Sequence, residues 1–401
     1  MQPAQSTSDQ RLHQIALARS TVLFGNKSAG AVSSQSWIER SWQRSLASGK
    51  RPDQPVSFDV IAPNAIRHLK EANHTLVSAA KPVLESLGHA IFGTRYFAIL
   101  TDAQGIVIDT HGPIDRSDRR ADLITRIGCD LSEQSVATTA IGAALHELQS
   151  VWLHRGEHFF DANSAYSCAG APLFGPHGNC IGMLDLTGID VAERPELQHL
   201  VAQSARGIEN ALTLAHLSHT QDLLIRLNWP GRTIGDETDG LICLNADGCV
   251  TAANQTAHVM VPQLQGRQRS LHASDLFAMA FEMLFDAASR PERTAIEVPL
   301  WTGLRLHALT FRKNYTNQGA ERRTFGATTS STTSATSATS ATSATTLTQR
   351  LTAAPPLKDI ETALIRKAVD EARGNVQQAA KTLGISRATV YRRLGANLKK
   401  R

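Results

Sequence analysis

His154, Glu157 and His158 come nearest in type and spacing to a metal site. Imidazole and carboxylate groups bind zinc, and two histidines four positions apart on a helix would share one face. Gly156 lies between the histidines and indicates a loop instead, and the sequence suggests no further ligand. We therefore expect structural or ligand hydrogen bonds from these side chains, with no metal and no cofactor.

Thiol chemistry is the second candidate. The cysteines show no C-x-x-C spacing and lie far apart, at Cys129, Cys168, Cys180, Cys243 and Cys249. Such a pattern predicts neither a zinc site nor a disulfide framework. We expect buried, reduced thiols, and a redox role for Cys168 or Cys180 is the alternative.

DNA recognition is the third candidate, because residues 375–394 predict a helix-turn-helix. A helix with one apolar face ends at Gly384, which can adopt the left-handed conformation of a helix C-terminus, and Ser386 can cap the next helix. That second helix buries Val390 and Leu394. Its other faces suit the DNA major groove, with Arg387, Thr389, Tyr391, Arg392 and Arg393.

The charge distribution favours DNA over an ordinary helical hairpin. Residues 355–401 contain eleven Lys or Arg and four Asp or Glu, a net charge of +7, whereas the whole chain carries +5. The preceding residues are therefore slightly acidic. Basic charge confined to one small module is typical of a phosphate-binding surface.

The rest of the chain must supply the elements that act through this module. Its 401 residues, 42% of them apolar, predict two to four domains with buried cores. No apolar run has the length of a membrane span, and the polar N-terminus lacks the pattern of a signal peptide. We expect a cytoplasmic, nucleoid-associated protein.

Periodicity predicts the elements of the first half of the chain. A helix is expected near residues 12–24, followed by a helical stripe of Trp37, Ile38, Trp42 and Leu46 that packs on the next domain. A long helix over 64–91, interrupted at Pro82, carries apolar residues at near-heptad spacing and predicts a dimer seam. Residues 95–190 predict an α+β domain in which antiparallel hairpins flank a helix over 132–147.

The second half begins with a long helix over 196–227 that carries Ile208 on its apolar face. Strands are expected on both sides of an Asn-Ala-Asp-Gly turn that begins at Asn245, then helices over 255–262 and 274–288, then a hairpin around Gly303. Residues 326–346 contain only Gly, Ala, Ser and Thr, with Ser-Ala-Thr repeated from Ser334. That composition predicts a flexible tether.

Two resemblances to known families follow from these motifs. Residues 357–394, with Gly384-Ile385-Ser386-Arg387 and Tyr391-Arg392-Arg393-Leu394, resemble the DNA-binding domain of the Fis family. This resemblance implies dimerisation through the leading helix. It also implies that the side chains facing double-stranded DNA are Ser386, Arg387, Thr389, Tyr391, Arg392 and Arg393.

Residues 36–217 resemble the sensor region of acetoin-catabolism-type regulators, which are bacterial enhancer-binding proteins. The motifs are Ser41-Trp42-Gln43-Arg44-Ser45, Cys168-Ala-Gly-Ala-Pro172 and Gly182-Met-Leu-Asp-Leu-Thr-Gly188. The resemblance implies a GAF domain that senses a small molecule. The family usually has Gly-Thr-Asn where this chain has Ala137-Thr138-Thr139, so a pocket at this helix start would take a different ligand. The ligand itself is unknown, and the candidate contacts are Thr138, Thr139, His158 and Cys168.

The order of elements after residue 218 resembles a short PAS domain. The expected fold class is multidomain α+β, with a GAF-like antiparallel sheet, a PAS-like α+β domain and an all-α Fis-type module. The predicted segments are an N-terminal helical and polar region at 1–63, the GAF-like domain at 64–217, the PAS-like domain at 218–325, the tether at 326–356 and the helix-turn-helix at 357–401.

Enhancer-binding proteins carry an ATPase between sensor and DNA module, but the tether occupies that place here and no Gly-x-x-x-x-Gly-Lys-Ser/Thr motif is present. The sequence therefore predicts a homodimeric, effector-responsive transcriptional regulator that is not an enzyme, with RNA polymerase as a further candidate partner. A nucleoid-type architectural DNA binder is the alternative. A GAF-based methionine sulfoxide reductase is a third interpretation, but no paired catalytic and resolving cysteines are indicated.

Overall fold

The computed structural model describes residues 7–24, 36–217, 222–265, 271–291, 293–312 and 377–378. All of these ranges except 377–378 lie in the unit Met1–Gly326. Gln377 and Gln378 are helical and exposed. The predicted tether and the six predicted DNA-facing residues lie outside the described residues.

The first domain is built on a five-stranded antiparallel sheet in the order β2-β1-β5-β4-β3. Its strands are β1 (Tyr96–Asp102), β2 (Val107–His111), β3 (Val151–His154), β4 (Tyr166–Phe174) and β5 (Cys180–Ile189). The predicted hairpins are confirmed. Every residue of β1 is buried, because helices and loops cover both faces of the sheet.

Two cores lie on the two faces of this sheet. Phe97 and Ile99 of β1 belong to the first core, whereas Ala98 and Leu100 belong to the second. The first core is formed with α1 (Thr7–Phe24), α2 (Ser36–Ala47), α5 (Arg119–Ile124), α6 (Glu133–Val136) and α7 (Ala140–Glu147). The second core is formed with α4 (His74–Ala90) and α8 (Leu197–Ala215), and α3 (Pro63–Ala72) packs at its edge. Trp37 and Trp42 of α2 are buried in the first core, which confirms their predicted packing role.

The second domain is a five-stranded antiparallel sheet in the order β8-β7-β6-β10-β9. The strands are β6 (Leu223–Asn228), β7 (Gly240–Leu244), β8 (Val250–Ala253), β9 (Ile296–Pro299) and β10 (Arg305–Arg312). Three helices accompany it, α9 (Gln255–Met260), α10 (Ala273–Leu276) and α11 (Glu282–Ser289). The predicted α+β class is confirmed, although the helix expected over 274–288 is divided into α10 and α11.

The helix predicted over 196–227 is wrong in its last third, because the chain forms α8 and then the strand β6. Leu223, Ile225 and Leu227 enter one core of the second domain, and Leu224 enters another on the opposite face. This alternation suits a strand that pairs with β7 on one side and β10 on the other. Pairing on both edges outweighs the helical spacing that the leucines also satisfy.

The helix predicted over 64–91 is interrupted at Asn73 rather than at Pro82. Asn73 separates α3 from α4, and its Nδ2 donates to the Leu69 carbonyl at 2.9 Å. The same carbonyl also accepts from the Asn73 backbone N–H at 3.1 Å, and Asn73 is the C-cap at which α3 ends. Pro82 lies inside α4 on its exposed side.

The predicted dimer seam is also wrong, because its apolar side chains form the interior of a single chain. Leu76 is 5% exposed, Leu84 1% and Leu87 2%, and Ile208 of α8 is fully buried. Helix α4 packs on α8, and both cover the same face of the sheet. These positions are therefore not available to a second chain.

Leu76→Glu should lower the free energy of unfolding of the first domain by about 3 kcal/mol or more, because it places an unpaired carboxylate in the core. Ser78→Glu, on the exposed side of the same helix, should leave the thermal midpoint unchanged. Circular dichroism melts of both variants test this. If Leu76→Glu melted normally and only lost the ability to dimerise, the predicted dimer interface at Leu76 would be supported instead.

The Ala-rich helix predicted over 132–147 is divided in two by a sharp change of direction. Ala137 has φ 57° and ψ −150°, a backbone conformation that residues other than glycine rarely adopt. Thr139 then caps α7, its Oγ1 accepting from the Gly142 N–H at 3.2 Å. The start of α7 is thereby directed toward the sheet.

Ala137→Gly should leave the thermal midpoint unchanged or raise it, because relief of roughly 1–3 kcal/mol of backbone strain offsets the lost methyl and the added chain entropy. Ala143→Gly, equally buried but inside α7, relieves no strain and should cost about 1–2 kcal/mol. Thermal melts of the two variants decide between them. Equal losses would show that Ala137 is not strained.

Candidate ligand-binding site

A cavity of about 30 Å³ lies beside the first sheet, which is more than the roughly 10–15 Å³ that one water needs. Its apolar lining comes from Phe58, Ile99, Ile124, Leu131, Ala140 and Ile141. Its polar lining comes from Thr139, His158, Asn163, Tyr166, Cys168, Asp185 and Thr187. Strands β4 and β5 supply four of the polar residues, and the start of α7 supplies Thr139.

Three polar residues of the strands form a hydrogen-bonded chain along one side of the cavity. Cys168 of β4 is paired with Thr187 of β5, and its Sγ lies 3.4 Å from Thr187 Oγ1. Thr187 in turn donates to Asp185 Oδ2. The other carboxyl oxygen, Oδ1 of Asp185, is buried and has no partner within the described residues. Burial raises the pKa of Asp185 to about 7 and that of Cys168 well above its ordinary value.

His158 enters the cavity from the loop after β3. Its Nδ1 lies 2.9 Å from the Arg155 carbonyl oxygen and must donate to it, so Nε2 is a bare acceptor. No donor within the described part of the chain reaches Nε2, and the residue is 1% exposed. Burial lowers the pKa of His158 to about 4, and the ring is therefore neutral at physiological pH.

Asn163 supplies the third unsatisfied group. It ends a short 3-10 turn (Asp161–Asn163), is 1% exposed, and its Oδ1 finds no donor in the described ranges. A buried polar atom without a partner costs about 1–3 kcal/mol, and three around one cavity point to an occupant that satisfies them.

Helix α1 holds the loop that carries His158. The Arg19 guanidinium donates to the carbonyl oxygens of Gly156 at 3.1 Å, His158 at 2.6 Å and Phe159 at 2.7 Å. The Trp42 indole donates to the Glu157 carbonyl at 2.9 Å. Elements distant in sequence therefore fix the backbone on both sides of the imidazole.

The structure brings three of the four predicted ligand contacts, Thr139, His158 and Cys168, to the cavity. Thr138 lies elsewhere, because its Oγ1 shares a 2.7 Å hydrogen bond with Ser41 Oγ. His154 Nδ1 lies 2.6 Å from Ser167 Oγ, and Glu157 pairs with Arg11 at 2.7 Å. In the described ranges no three His, Cys, Asp or Glu side chains are placed to hold a metal ion.

The sequence did not single out Asp185, Asn163, Thr187 or Tyr166 as cavity residues. For Asp185 a signal was present, since it is a carboxylate within the apolar run Cys180–Ile189. No periodicity identifies Asn163, because it lies in a loop.

Two known families match separate segments of the chain. Residues 13–210 match the family described as the MimR N-terminal domain, and residues 356–396 match the bacterial regulatory proteins of the Fis family. Residues 13–210 are a MimR-type N-terminal domain. The C-terminal match is a Fis-type helix-turn-helix, and it covers all six predicted DNA-facing residues.

Several relatives of the chain are named as regulators. The chain is 30% identical over 258 residues to the acetoin catabolism regulatory protein of Cupriavidus necator, covering 62% of this chain and 37% of that protein. It is 24% identical to the acetoin dehydrogenase operon activator AcoR of Bacillus subtilis, covering 57% and 37%. It is 27% identical to the propane 2-monooxygenase operon activator MimR of Mycolicibacterium smegmatis, and this match covers 44% of this chain and 29% of that protein. The chain spans about a third of the length of these relatives.

Among solved structures, the chain is similar to that of the E. coli DhaR(N)–DhaL complex. The identity is 13% and the TM-score 0.42, over 69% of this chain and 99% of the other. Within the part of the chain that the structure describes, no helix is long and apolar enough to cross a membrane.

The buried carboxyl of Asp185 predicts a measurable pH dependence. Its pKa is about 7 in the folded protein and near 3.8 when exposed, so between these values the folded state keeps a proton that the unfolded state has lost. Stability therefore falls as the pH rises through this window, by up to about 1.4 kcal/mol per pH unit from this group.

Asp185→Asn should flatten the fall in thermal midpoint between pH 5 and pH 7. The exposed Asp53 provides the matched control, and Asp53→Asn should keep the slope of the unmodified protein. Calorimetric melts at several pH values measure the difference. An unchanged slope in Asp185→Asn would mean that the carboxyl is ionised in the folded protein.

Proposed function

We propose that the protein is an effector-responsive, DNA-binding transcriptional regulator in which the cavity of the MimR-type domain binds the effector. The supporting observation is a cavity with three buried, unpartnered polar atoms in a chain that also carries a Fis-type helix-turn-helix. The relatives named above are transcriptional regulators, which fits a sensor coupled to DNA. Such a regulator acts in the cytoplasm on nucleoid DNA.

The cysteines support a role other than catalysis. A reactive thiol is exposed and has a lowered pKa, because the thiolate is the nucleophile. Cys168 has the opposite character, since it is buried and its pKa is raised. Burial also raises the pKa of the Cys180 thiol. Methionine sulfoxide reduction is therefore not favoured.

The regulator is further proposed to act without hydrolysing ATP. The sequence contains no Gly-x-x-x-x-Gly-Lys-Ser/Thr motif, and a Ser-Ala-Thr repeat lies between the second domain and the helix-turn-helix. Remodelling of RNA polymerase at sigma-54 promoters would then need another protein. The proposed DNA-bound form is a homodimer, and RNA polymerase is a candidate partner.

Mapping of bound chromosomal sites with and without candidate metabolites tests the whole proposal. A regulator should occupy a small set of sites, and its occupancy should change with one metabolite. Broad occupancy that no metabolite alters would instead indicate an architectural DNA-binding protein.

Arg387→Ala and Arg392→Ala should each abolish specific binding to such a site. Both residues lie on the predicted recognition helix, and a bidentate contact from arginine to a base is worth about 1–3 kcal/mol. Arg350→Ala, in the segment before the Fis-type module, is the matched control and should retain specific binding. Fluorescence anisotropy with a mapped site and a scrambled duplex measures both, and unchanged affinity in the two recognition-helix variants would contradict the assignment.

A further inference from the structure

The cavity of the MimR-type domain is rich in hydrogen-bond acceptors. The three unpartnered atoms are His158 Nε2, Asn163 Oδ1 and Asp185 Oδ1. His158 Nε2 carries no proton, because Nδ1 donates to the Arg155 carbonyl at 2.9 Å. Asn163 Oδ1 is an amide oxygen and can only accept.

The same cavity offers few donors to a ligand. The Thr187 hydroxyl donates to Asp185, and the Tyr166 hydroxyl donates to the Arg120 carbonyl at 3.4 Å. The Cys168 thiol is directed to Thr187. Thr139 is the remaining hydroxyl of the lining, and no Lys or Arg is among the lining residues. Among the side chains of the lining, a carboxylate or phosphate would therefore find no positive charge, and its donors would be the Thr139 hydroxyl and the Asn163 amide N–H groups, beside the first backbone N–H groups of α7.

The charge of Asp185 further restricts the class of ligand that the cavity can bind. Asp185 is fully buried and forms no ion pair with any described residue. A buried carboxylate without a counter-charge is unfavourable, whereas a cationic ligand would supply that charge inside the low-dielectric cavity. A primary ammonium group has three N–H donors, and the cavity has three unpartnered acceptors.

We propose that the cavity binds a small protonated primary amine, whose ammonium group donates to Asp185, Asn163 and His158. This rests on the proposed function, since it names the effector class of the same cavity. The short carbon chain of the amine lies against the apolar lining formed by Ile99, Ile124 and Ile141. The cavity volume of about 30 Å³ limits the ligand to a few non-hydrogen atoms.

Binding should depend on pH through one group. The other titratable groups that line the cavity are Cys168 and Tyr166 from β4 and His158 from the loop after β3, and all keep one protonation state between pH 6 and pH 8. The thiol and phenol pKa values are raised by burial and the imidazole pKa is lowered to about 4. Asp185, with a pKa of about 7, changes its charge in this range.

Isothermal titration of the full-length protein with propylamine, propan-1-ol and propionate tests the proposal, since the three probes differ mainly in the polar group. At pH 7.5 propylamine should bind at least tenfold more tightly than propan-1-ol, and propionate should bind most weakly. From pH 6 to pH 8 the ratio of amine to alcohol affinity should rise about tenfold as Asp185 ionises. A constant ratio, or equal affinity for amine and alcohol, would overturn the proposal.

Asp185→Asn should abolish the preference for the amine. Glu209→Gln is the matched control, because Glu209 is another buried carboxyl with a pKa raised to about 7, but it lies on α8 and accepts from the Phe174 N–H at 2.9 Å. The control should bind propylamine as the unmodified protein does. If Asp185→Asn does not fold, the pH series on the unmodified protein gives the answer alone.

The outcomes separate this inference from the proposed function. Tight binding of propan-1-ol or propionate without binding of propylamine would refute the amine and leave a sensory cavity. Failure of all three probes would refute the amine, and the metabolite-dependent chromosomal map would then decide whether the protein senses any ligand.

Discussion

Burial of both faces of the first sheet is the constraint on which the chemistry of the MimR-type domain depends. Neither face of such a sheet is exposed to solvent, so a polar side chain on a central strand must find a hydrogen-bond partner inside the protein or leave an atom unsatisfied. Asp185 and Thr187 lie two positions apart on β5 and therefore face the same way. Thr187 satisfies one oxygen of Asp185 and the second remains unpartnered. The fold thus maintains an unsatisfied carboxyl oxygen beside a cavity in the interior of the domain.

Helix α8 connects this region with the second domain. It packs on the sheet of the first domain, and Glu209 accepts from the backbone of β4. The next residue is Asn210, whose Oδ1 accepts from Asn254 Nδ2 at 2.7 Å, and Leu214, one turn further, packs against the second sheet. Ala253 also donates to the Pro176 carbonyl at 2.8 Å. The two sheets are therefore joined at a helix and at a turn, and both connections start from β4 or the residues that follow it.

The sequence predicted the fold class and nearly all the strands, because turn residues and alternating apolar residues are local signals. It failed where tertiary packing chose between two patterns that the same residues satisfy. Leu76 lies in a helix whose apolar residues have the spacing of a coiled-coil seam, but that spacing also suits a helix packed inside one chain, and the sheet beside it decides the outcome. Similarly, the sequence of β6 fits a helical spacing, and only its pairing with β7 and β10 makes it a strand. In the cavity, Thr139, His158 and Cys168 were predicted as ligand contacts together with the resemblance to the sensor family, whereas Asn163 depends on a loop conformation that no local pattern encodes.

The grip of Arg19 on the loop around His158 joins residues about 140 positions apart. Closing so long a loop costs conformational entropy, and three hydrogen bonds from a charged guanidinium offset part of that cost. During synthesis, α1 leaves the ribosome well before the loop around His158 has been made, so Arg19 first lacks its carbonyl acceptors. A truncated protein that starts at α2 would keep every residue of the cavity wall, yet the backbone on either side of the imidazole would lose three of its anchors. The first helix is therefore part of the binding site, although none of its residues lines the cavity.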